Sequence, residues 1–498
     1  MKKTIAFLLI AVLACGILAA CNDEGDRSRA DVSETSGSGK YVADVPERDY
    51  GGATVTFLTC GVNQTASSEI LYNDYGSDDE EQMMEVVNDA LRERYNQVYE
   101  SIGVVIKEQY IYDGRRYNGE MINHIRNAIA GGTDTFQVCV PCLYDCATLA
   151  AEGQLIDLLG EVPYLNMSQP WWDQTFNSEM TIGGCLYFTI GDIGLINKDS
   201  TPCIAFNKDL FNEYNLESPY DLVDDGKWTL DKLIELCRNM SVDLNDDGVI
   251  DYSDKFGYGG QYDDMWYLFY GSGERIASRD ADGYPYLTMY NDRSATVIDK
   301  ILEFMQDKEH YVCANNYFGV VNWPAELVTQ AFVEGRSLFN LSGVGTTDAY
   351  RDMEDDFGLV PIPKFNEEQE NYYSMVNPWT SNAFCIPISV EGDALEMTGI
   401  TLEVMGAVSK NILATAYYDV ALQYQKTRDD DTVRMLEIIF NSRGCDLGTI
   451  YKWGLLDNLL HELITMPRGS FASQYEAKSA AAQSAMEETI NFYKSNEK

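Results

Sequence analysis

Apolar strands and amphipathic helices alternate near the start of the chain. Segments 54–59, 104–110 and 135–140 are rich in apolar, β-branched and aromatic residues, which is typical of strands. Between them, 80–98 and 117–130 carry apolar residues at helical spacing. Strands joined through helices need crossover connections, so this order predicts a parallel sheet covered by helices, an α/β architecture.

Length and charge narrow the possible functions. The 498 residues exceed what one hydrophobic core normally supports, so more than one lobe is expected. With 79 acidic against 36 basic residues the formal net charge is −43, which argues against binding to nucleic acid or to an anionic membrane surface. Only 3 histidines are present, so zinc chemistry and histidine-based acid–base catalysis have few side chains to use.

The N-terminus has the pattern of a secretory leader. Two lysines precede an apolar stretch over 5–18, and Leu-Ala-Ala-Cys then closes it at Cys21, as in bacterial lipoproteins. We therefore expect a signal peptide over 1–20 and a lipid on Cys21, which would hold the chain on the extracellular side of the cell membrane through that anchor alone. The polar segment 21–48 predicts a flexible tether.

The cysteines give a weaker signal. Of 12 cysteines, Cys15 would leave with the leader and Cys21 would carry lipid, and the pairing of the others cannot be assigned from sequence. Cys139, Cys142 and Cys146 begin as a C-x2-C motif, but no histidine is nearby. Buried packing thiols are therefore favoured over a metal or redox site.

Five ordered segments carry a family resemblance. The first two are AGGTDTFQVCVPCLYDCATLAAEGQLIDL (130–158) and CLYFTIGDIGLINKDSTPCIAFNKDLFNEYNL (185–216). The others are GKWTLDKLIELC (226–237), AFVEGRSLFNLSG (331–343) and FGLVPIPKF (357–365). Together, behind a lipoprotein leader, they resemble the extracellular solute-binding proteins of bacterial ABC importers, the family 1 type that includes the maltose-binding proteins.

The resemblance implies a two-lobed, periplasmic-binding-protein-like fold of type II, with a ligand cleft between the lobes and multiple hinge crossings. Lobe 1 is expected over 50–190 and about 380–442, and lobe 2 over about 195–375 and about 445–498. The implied function is not enzymatic. A monomer would capture a carbohydrate, in our interpretation an oligosaccharide, by hinge closure and deliver it to ABC permease subunits in the membrane.

One segment, 243–254 (DLNDDGVIDYSD), matches the calcium loop of an EF-hand. Oxygen ligands at alternate positions wrap a hard cation, and Gly248 permits the sharp turn. The last position is an aspartate where a glutamate is usual, and no second helix clearly follows. The alternative is a solvated acidic turn. We predict a structural Ca²⁺ whose ligands are Asp243, Asn245, Asp247, Val249, Asp251 and Asp254.

The next stretch, 259–270 (GGQYDDMWYLFY), combines aromatic rings with carboxylates. Sugars present apolar ring faces for stacking and hydroxyls for hydrogen bonds, so a sugar site needs both kinds of side chain. We interpret Tyr262, Asp263 and Trp266 as ligand contacts. The alternative is a helix that buries its aromatic residues in a core.

Other candidate contacts come from loops at strand ends and from the expected crossings. Ligands of open α/β sheets bind beyond the carboxyl ends of strands, where two candidates follow the strand at 135–140. The resemblance implies that a further candidate lies in a loop that contacts substrate and that the last three candidates lie near the crossings between the lobes. In contrast, 344–347 (VGTT) lacks the aromatic pair that sugar-binding relatives often carry there. The candidates are Tyr144 and Asp145, then Asp192, then Asn377, Trp379 and Trp453.

Two alternatives to a sugar-binding protein stay open. The acidic charge favours a cationic solute such as a polyamine as the second choice of ligand. A carbohydrate-active enzyme could also use paired carboxylates and a calcium loop, although no glycosidase motif is evident.

Overall fold

The computed structural model describes residues 39–62, 69–72, 82–351, 353–423 and 430–495, so the predicted leader and Cys21 lie outside the described residues. Within these ranges no helix is both long and apolar enough to cross a membrane. The strands are β1 (Thr54–Gly61), β2 (Val105–Tyr112), β3 (Val138–Val140), β4 (Pro202–Asn207), β5 (Ser241–Val242), β6 (Lys255–Gly260), β7 (Ala277–Arg279), β8 (Pro285–Leu287), β9 (Tyr311–Cys313), β10 (Ser337–Gly343), β11 (Phe357–Val360), β12 (Ser374–Met375) and β13 (Arg443–Gly444).

The helices separate and cover these strands. Short 3-10 helices span Ala314–Tyr317, Val344–Tyr350 and Trp453–Leu455. The α-helices are α1 (Gln82–Ile102), α2 (Glu120–Ala130), α3 (Leu143–Ala151), α4 (Gln174–Met180), α5 (Ile196–Asp199), α6 (Lys208–Glu213), α7 (Pro219–Asp224), α8 (Leu230–Cys237), α9 (Asp264–Gly271), α10 (Asp292–Met305), α11 (Ala325–Val333), α12 (Gly392–Asn411), α13 (Leu413–Gln423), α14 (Asp430–Asn441), α15 (Leu447–Tyr451), α16 (Leu456–Ile464) and α17 (Phe471–Ser495).

The first sheet confirms the predicted alternation. Its order is β2–β1–β3, and both pairings are parallel, with Phe57 of β1 opposite Glu108 and Val138. The middle strand is largely buried because α1, α2 and α12 pack against this sheet. Since parallel strands end at the same edge, the loops that follow β2 and β3 leave the sheet side by side.

The second sheet is mixed, in the order β11–β4–β10–β6–β5, and β9 also pairs with β6. Strand β4 is antiparallel to β10 and β11, whereas β6, β9 and β10 are mutually parallel. The carboxyl ends of these three strands, at Gly260, Cys313 and Gly343, therefore share one edge.

Each sheet has its own hydrophobic core, and the chain passes between the cores several times. The core of the first sheet draws mainly on residues within 55–193, 376–408, 445–453 and 486–493. Two clusters around the second sheet contain most of the buried apolar residues between 203 and 375. Two lobes with multiple crossings are thus present, as the resemblance implies.

The packing near the C-terminus differs from the predicted lobe boundaries. Ile439 of α14 packs with Ala205 and Phe357 of the second sheet, whereas α13 lies against α1 and α12 and joins the same cluster through Leu413. Conversely, Trp453 belongs to the first core, and α17 contributes to both cores. Helical periodicity shows that a helix has an apolar face, but it does not show which sheet that face covers.

The described part of the predicted tether is packed rather than free. The backbone of Tyr41 exchanges two hydrogen bonds with the side chain of Asn411 on α12, at 2.9 and 2.8 Å. Val45 packs against the first core, and Arg48 forms an ion pair with Glu396. The segment 21–48 is polar with few apolar residues, yet its described part packs against α12 and the first core.

All ten cysteines from Cys60 to Cys445 are buried thiols. Cys139, Cys142 and Cys146 are fully enclosed, as expected for packing residues. The thiol of Cys146 is directed at the backbone oxygens of Pro141 and Ala383, at 3.7 and 3.8 Å.

Candidate functional site

A cavity of about 1030 Å³ lies between the two sheets, beside the carboxyl ends of their strands. The first sheet contributes the loops after β2 and β3, and the second contributes the segments after β6, β9 and β10. Residues near the chain crossings complete the lining. Its principal side chains are Arg115, Tyr117, Tyr144, Asp199, Gln261, Asp263, Trp266, Tyr267, Phe318, Trp323, Ser342, Thr346, Asn377, Trp379, Lys452 and Asn458.

Buried Arg116 fixes the wall on the side of the first sheet. It has a left-handed backbone (φ 58°) in the loop after β2, and its guanidinium donates to the carbonyls of Trp379 at 2.6 Å and Thr380 at 3.0 Å. It also donates to the side chain of Asn382. The loop that carries Trp379 is therefore held through its backbone, independently of its indole ring.

Asn377 connects the two walls. Its side-chain oxygen accepts from the backbone amides of Trp379 at 2.9 Å and Thr380 at 3.2 Å. Its amide nitrogen donates to the carboxylate of Asp263 at 3.0 Å and to the hydroxyl of Tyr267 at 2.6 Å. One buried amide thus sets the position of an aromatic ring on one wall relative to a carboxylate on the other.

The first turn of α9 forms much of the opposite wall. Burial raises the pKa of Asp263 to about 6, although the hydrogen bond from Asn377 lowers it. Trp266 is 7% exposed, packs in the second core and donates from its indole to the backbone oxygen of Asp457 at 2.9 Å. Trp266 therefore combines the two interpretations made from sequence, since it lines the cavity and also packs in a core.

A lysine lies where α15 ends. Lys452 has a left-handed backbone (φ 53°), and its ammonium is 4.5 Å from the ring centroid of Tyr144. It forms an ion pair with Asp457 and donates to Asn458 at 3.3 Å. The cavity thus has an ammonium group against an aromatic face, with its charge paired to Asp457.

His461 stacks on Trp266, with 4.0 Å between ring centroids. Burial, followed by the charge of Lys452, lowers the pKa of His461 to about 4, so the imidazole is neutral at pH 7. Its Nε2 is 3.4 Å from Asp263, without the geometry of a hydrogen bond. The imidazole therefore supports the indole and adds no charge to the cavity.

Two exposed aromatic residues at the cavity were not singled out from sequence. Phe318 and Trp323 are 61% and 58% exposed, and both follow β9. They supply aromatic surface in a cavity whose 344–347 segment has none. A signal was present, because Phe318, Val320 and Trp323 share a short stretch with Gly319 and Pro324 that fits neither a helix nor a strand.

Five of the nine predicted ligand contacts line the cavity, and four do not. The five are Tyr144, Asp263, Trp266, Asn377 and Trp379, which the fold brings together from three separate segments.

Trp453 and Asp145 were predicted as ligand contacts, but both side chains lie in packed surroundings outside the cavity lining. The indole of Trp453 donates to Thr489 at 2.9 Å inside the first core, and its ring stacks on Tyr451. Asp145 is fully enclosed and accepts from the backbone amide of Asn118 at 2.9 Å, which holds the loop that carries Tyr117. Their chain neighbours reach the cavity, but their own side chains point into packed surroundings.

The other two predicted contacts also lie away from the cavity lining. Tyr262 is half-buried beside His461, at 6.2 Å between ring centroids, and its backbone amide donates to Asn315 at 2.8 Å. Asp192 lines a second, smaller cavity, where it forms ion pairs with Lys198 and Lys410.

The predicted calcium loop is an exposed turn held by its own side chains. Asp243 accepts from the amide of Gly248 at 2.7 Å, and Asp247 accepts from the amide of Val249 at 2.9 Å. Gly248 has a φ of 81°, as a sharp turn requires. Over the described residues, no three His, Cys, Asp or Glu side chains are placed together as metal ligands, so calcium binding stays a prediction.

Comparison with known proteins relates the fold to solved structures. No family model and no curated protein matches the sequence. A cyclo/maltodextrin-binding protein complexed with maltotetraose matches with a TM-score of 0.54 and 12% identity, over 89% of this chain and 97% of that one. An ABC substrate-binding protein from Listeria monocytogenes in complex with cycloalternan matches with a TM-score of 0.51 and 12% identity, over 89% of this chain and 99% of that one.

UgpB from Mycobacterium tuberculosis, in complex with glycerophosphocholine, matches with a TM-score of 0.53 and 13% identity, over 81% of this chain and 96% of that one. At such identities the likeness concerns the fold. The chain has the two-lobed α/β fold of ABC substrate-binding proteins, over nearly their whole length.

Proposed function

We propose that this chain is the substrate-binding component of an ABC importer and that its cavity binds an oligosaccharide. The observation that carries the proposal is the composition of the cavity. Aromatic rings from both walls, Trp379 and Trp323 among them, lie around hydrogen-bonding groups such as Asp263 and Gln261. Rings can stack on the apolar faces of sugars while the polar groups bind hydroxyls.

The charges that line the cavity favour a neutral ligand over a polyamine. Asp199 and Asp263 lie with Arg115 and Lys452, and Lys452 is paired with Asp457, so the formal charge of these five groups is only 2 − 3 = −1. The acidity of the whole chain is therefore not concentrated at this site, and a polycation would meet two positive groups there. A neutral sugar meets donors and acceptors of both kinds.

Binding would act through closure of the lobes. A ligand that contacts both walls stabilises the closed arrangement by its difference in affinity for the two states. We propose that ABC permease subunits recognise the closed form, and that no bond of the sugar is broken. The lipid on Cys21 would keep the monomer at the extracellular side of the membrane, where the permease lies.

A ligand screen tests this function. We expect at least one neutral oligosaccharide, from a panel that includes maltotetraose, to raise the melting temperature saturably, and chromatography to recover the sugar unchanged. At about 100 times its Kd, such a ligand stabilises the folded state by about 2.7 kcal/mol. A response to spermidine alone would favour the polyamine alternative, and release of shorter sugars would favour an enzyme.

We also propose that the 243–254 loop binds Ca²⁺, which supports the wall around Phe318. Its Tyr252 ring packs edge-on against Tyr317, at 4.8 Å between centroids, one residue before Phe318. Without a cation, the carboxylates of the loop repel one another.

Adding Ca²⁺ to chelator-treated protein is therefore expected to raise the melting temperature saturably, and Asp247→Ala is expected to remove that response. Mg²⁺ at equal concentration is the control, because its octahedral preference suits this loop poorly. If calcium leaves the melting curve unchanged and Asp247→Ala melts like the parent, the loop is a solvated acidic turn.

A further inference from the structure

A second cavity, of about 230 Å³, lies apart from the sugar site, at the packing boundary of the two lobes. Trp171 and Trp172 on one side belong to the first core, and Phe440 on the other side belongs to the core of the second sheet. We call it the Asp192 cavity. Its charged lining residues are Asp173, Asp192, Lys198, Lys410 and Arg443.

The Asp192 cavity has an excess of positive charge. Three cationic side chains face two carboxylates, so its formal charge is 3 − 2 = +1, in a chain whose net charge is −43. The positive charge of this cavity is opposite in sign to the net charge of the protein, so it is a local property of the site. Such a site attracts an anion from solution.

Two lysines share one carboxylate in this cavity. Lys198, only 3% exposed, lies 3.2 Å from one oxygen of Asp192, and Lys410 lies 3.0 Å from the other. Although burial opposes it, the two ammonium groups hold the pKa of Asp192 below its usual value. Asp192 is therefore ionised at neutral pH and still balances only one of the two lysines.

Arg443 has an unused donor. Its two terminal nitrogens donate to Asp173 at 2.7 Å and to Asn197 at 3.1 Å. Its Nε is buried and has no hydrogen-bond partner among the described residues. A buried N–H of a cation without a partner is costly, so the surrounding protein groups do not fully satisfy the guanidinium of Arg443.

We propose that the Asp192 cavity binds a small oxyanion of the size of phosphate or sulfate, with Lys410 and the guanidinium of Arg443 as its cationic contacts. Charge-assisted hydrogen bonds from guanidinium and ammonium groups are the strong contacts for such oxygens. The bound ion offsets the excess positive charge and joins residues packed on the two cores. Its effect is on stability, separate from capture of the transported solute.

The test is a titration of the full chain with inorganic phosphate and with sulfate, against chloride at the same ionic strength. We expect a saturable rise in melting temperature, with a Kd on the order of millimolar or tighter, and matching heats in calorimetry. Lys410→Met is expected to weaken phosphate binding by about tenfold or more, whereas Lys410→Arg retains it. Lys300→Met, which removes a partly buried lysine that is distant in sequence and paired with exposed Asp231, should leave phosphate binding unchanged.

High concentrations of these salts stabilise many proteins by exclusion from the surface, without saturation. A rise that does not saturate, or one that is equal in Lys410→Met and the parent, overturns the proposal. If Lys410→Met does not fold, saturable heats in the parent and in Lys410→Arg, with none from chloride, still support a site. Their absence rejects it.

Discussion

Trp379→Ala is expected to lower the affinity for the oligosaccharide by about tenfold to a hundredfold, because a stacking face worth ~1–3 kcal/mol is lost. The melting temperature of the ligand-free protein should change little. Trp379 is only partly buried, and Arg116 and Asn377 hold its loop through backbone atoms that alanine retains.

Trp266→Ala is the matched variant, and it should behave differently. This indole packs in the second core, stacks on His461 and donates to the backbone of Asp457. Removing a core tryptophan typically costs ~3–5 kcal/mol of stability, so the ligand-free protein should melt at a clearly lower temperature while affinity also falls.

Calorimetric titration with the sugar found in the ligand screen, together with melting curves of both ligand-free variants, checks the pair. Unchanged affinity in Trp379→Ala would remove this ring from the binding site. A parent-like melting temperature in Trp266→Ala would show that its core contacts contribute little.

Mild acidification is expected to stabilise the fold. Burial raises the pKa of Asp145, Glu179 and Glu403 to about 7, against ordinary values of 3.8 and 4.5. Between about pH 4.5 and 7 the folded state therefore binds more protons than the unfolded chain. The stability that these groups contribute is fully present at the acidic end and is lost as pH rises through 7.

Each additional proton held by the folded state changes the free energy of unfolding by about 1.4 kcal/mol per pH unit. His461 acts in the opposite direction, because its pKa is lowered to about 4 and the unfolded chain takes up that proton first. These three carboxyls, together with Asp263, whose pKa burial raises to about 6, outnumber the one imidazole and leave a net gain in stability on acidification. The melting temperature should therefore be higher at pH 5.5 than at pH 7.5.

Chemical denaturation across this pH range measures how the free energy of unfolding depends on pH, and melting curves at pH 5.5 and 7.5 check its sign. Glu403→Gln should reduce the pH dependence by one proton, since the amide can still accept from Asn166. Glu488→Gln removes the same charge from the exposed face of α17 and is the control for general repulsion. A melting temperature that rises from pH 5.5 to 7.5 contradicts the prediction, and equal slopes in the two variants would assign the effect to net charge.

Local patterns were enough for the first sheet and for part of the site. The strand and helix periods over 54–140 predicted β1 to β3 because a parallel βαβ unit follows from its own sequence. Asp263 and Trp266 could be chosen because aromatic and carboxylate residues share one short segment. Asn377 and Trp379 came from the family resemblance, and both line the cavity.

The sequence alone determined that the chain is an α/β protein with more than one lobe, because periodicity and length are properties of the chain itself, and the family resemblance implied that the lobes are two. Only the tertiary structure decided that α14 packs on the second sheet, that Trp453 is buried in a core, and that Phe318 and Trp323 reach the cavity. These outcomes depend on contacts between residues far apart in sequence. Such contacts form when two apolar surfaces meet, and no local pattern records which partner a surface will find.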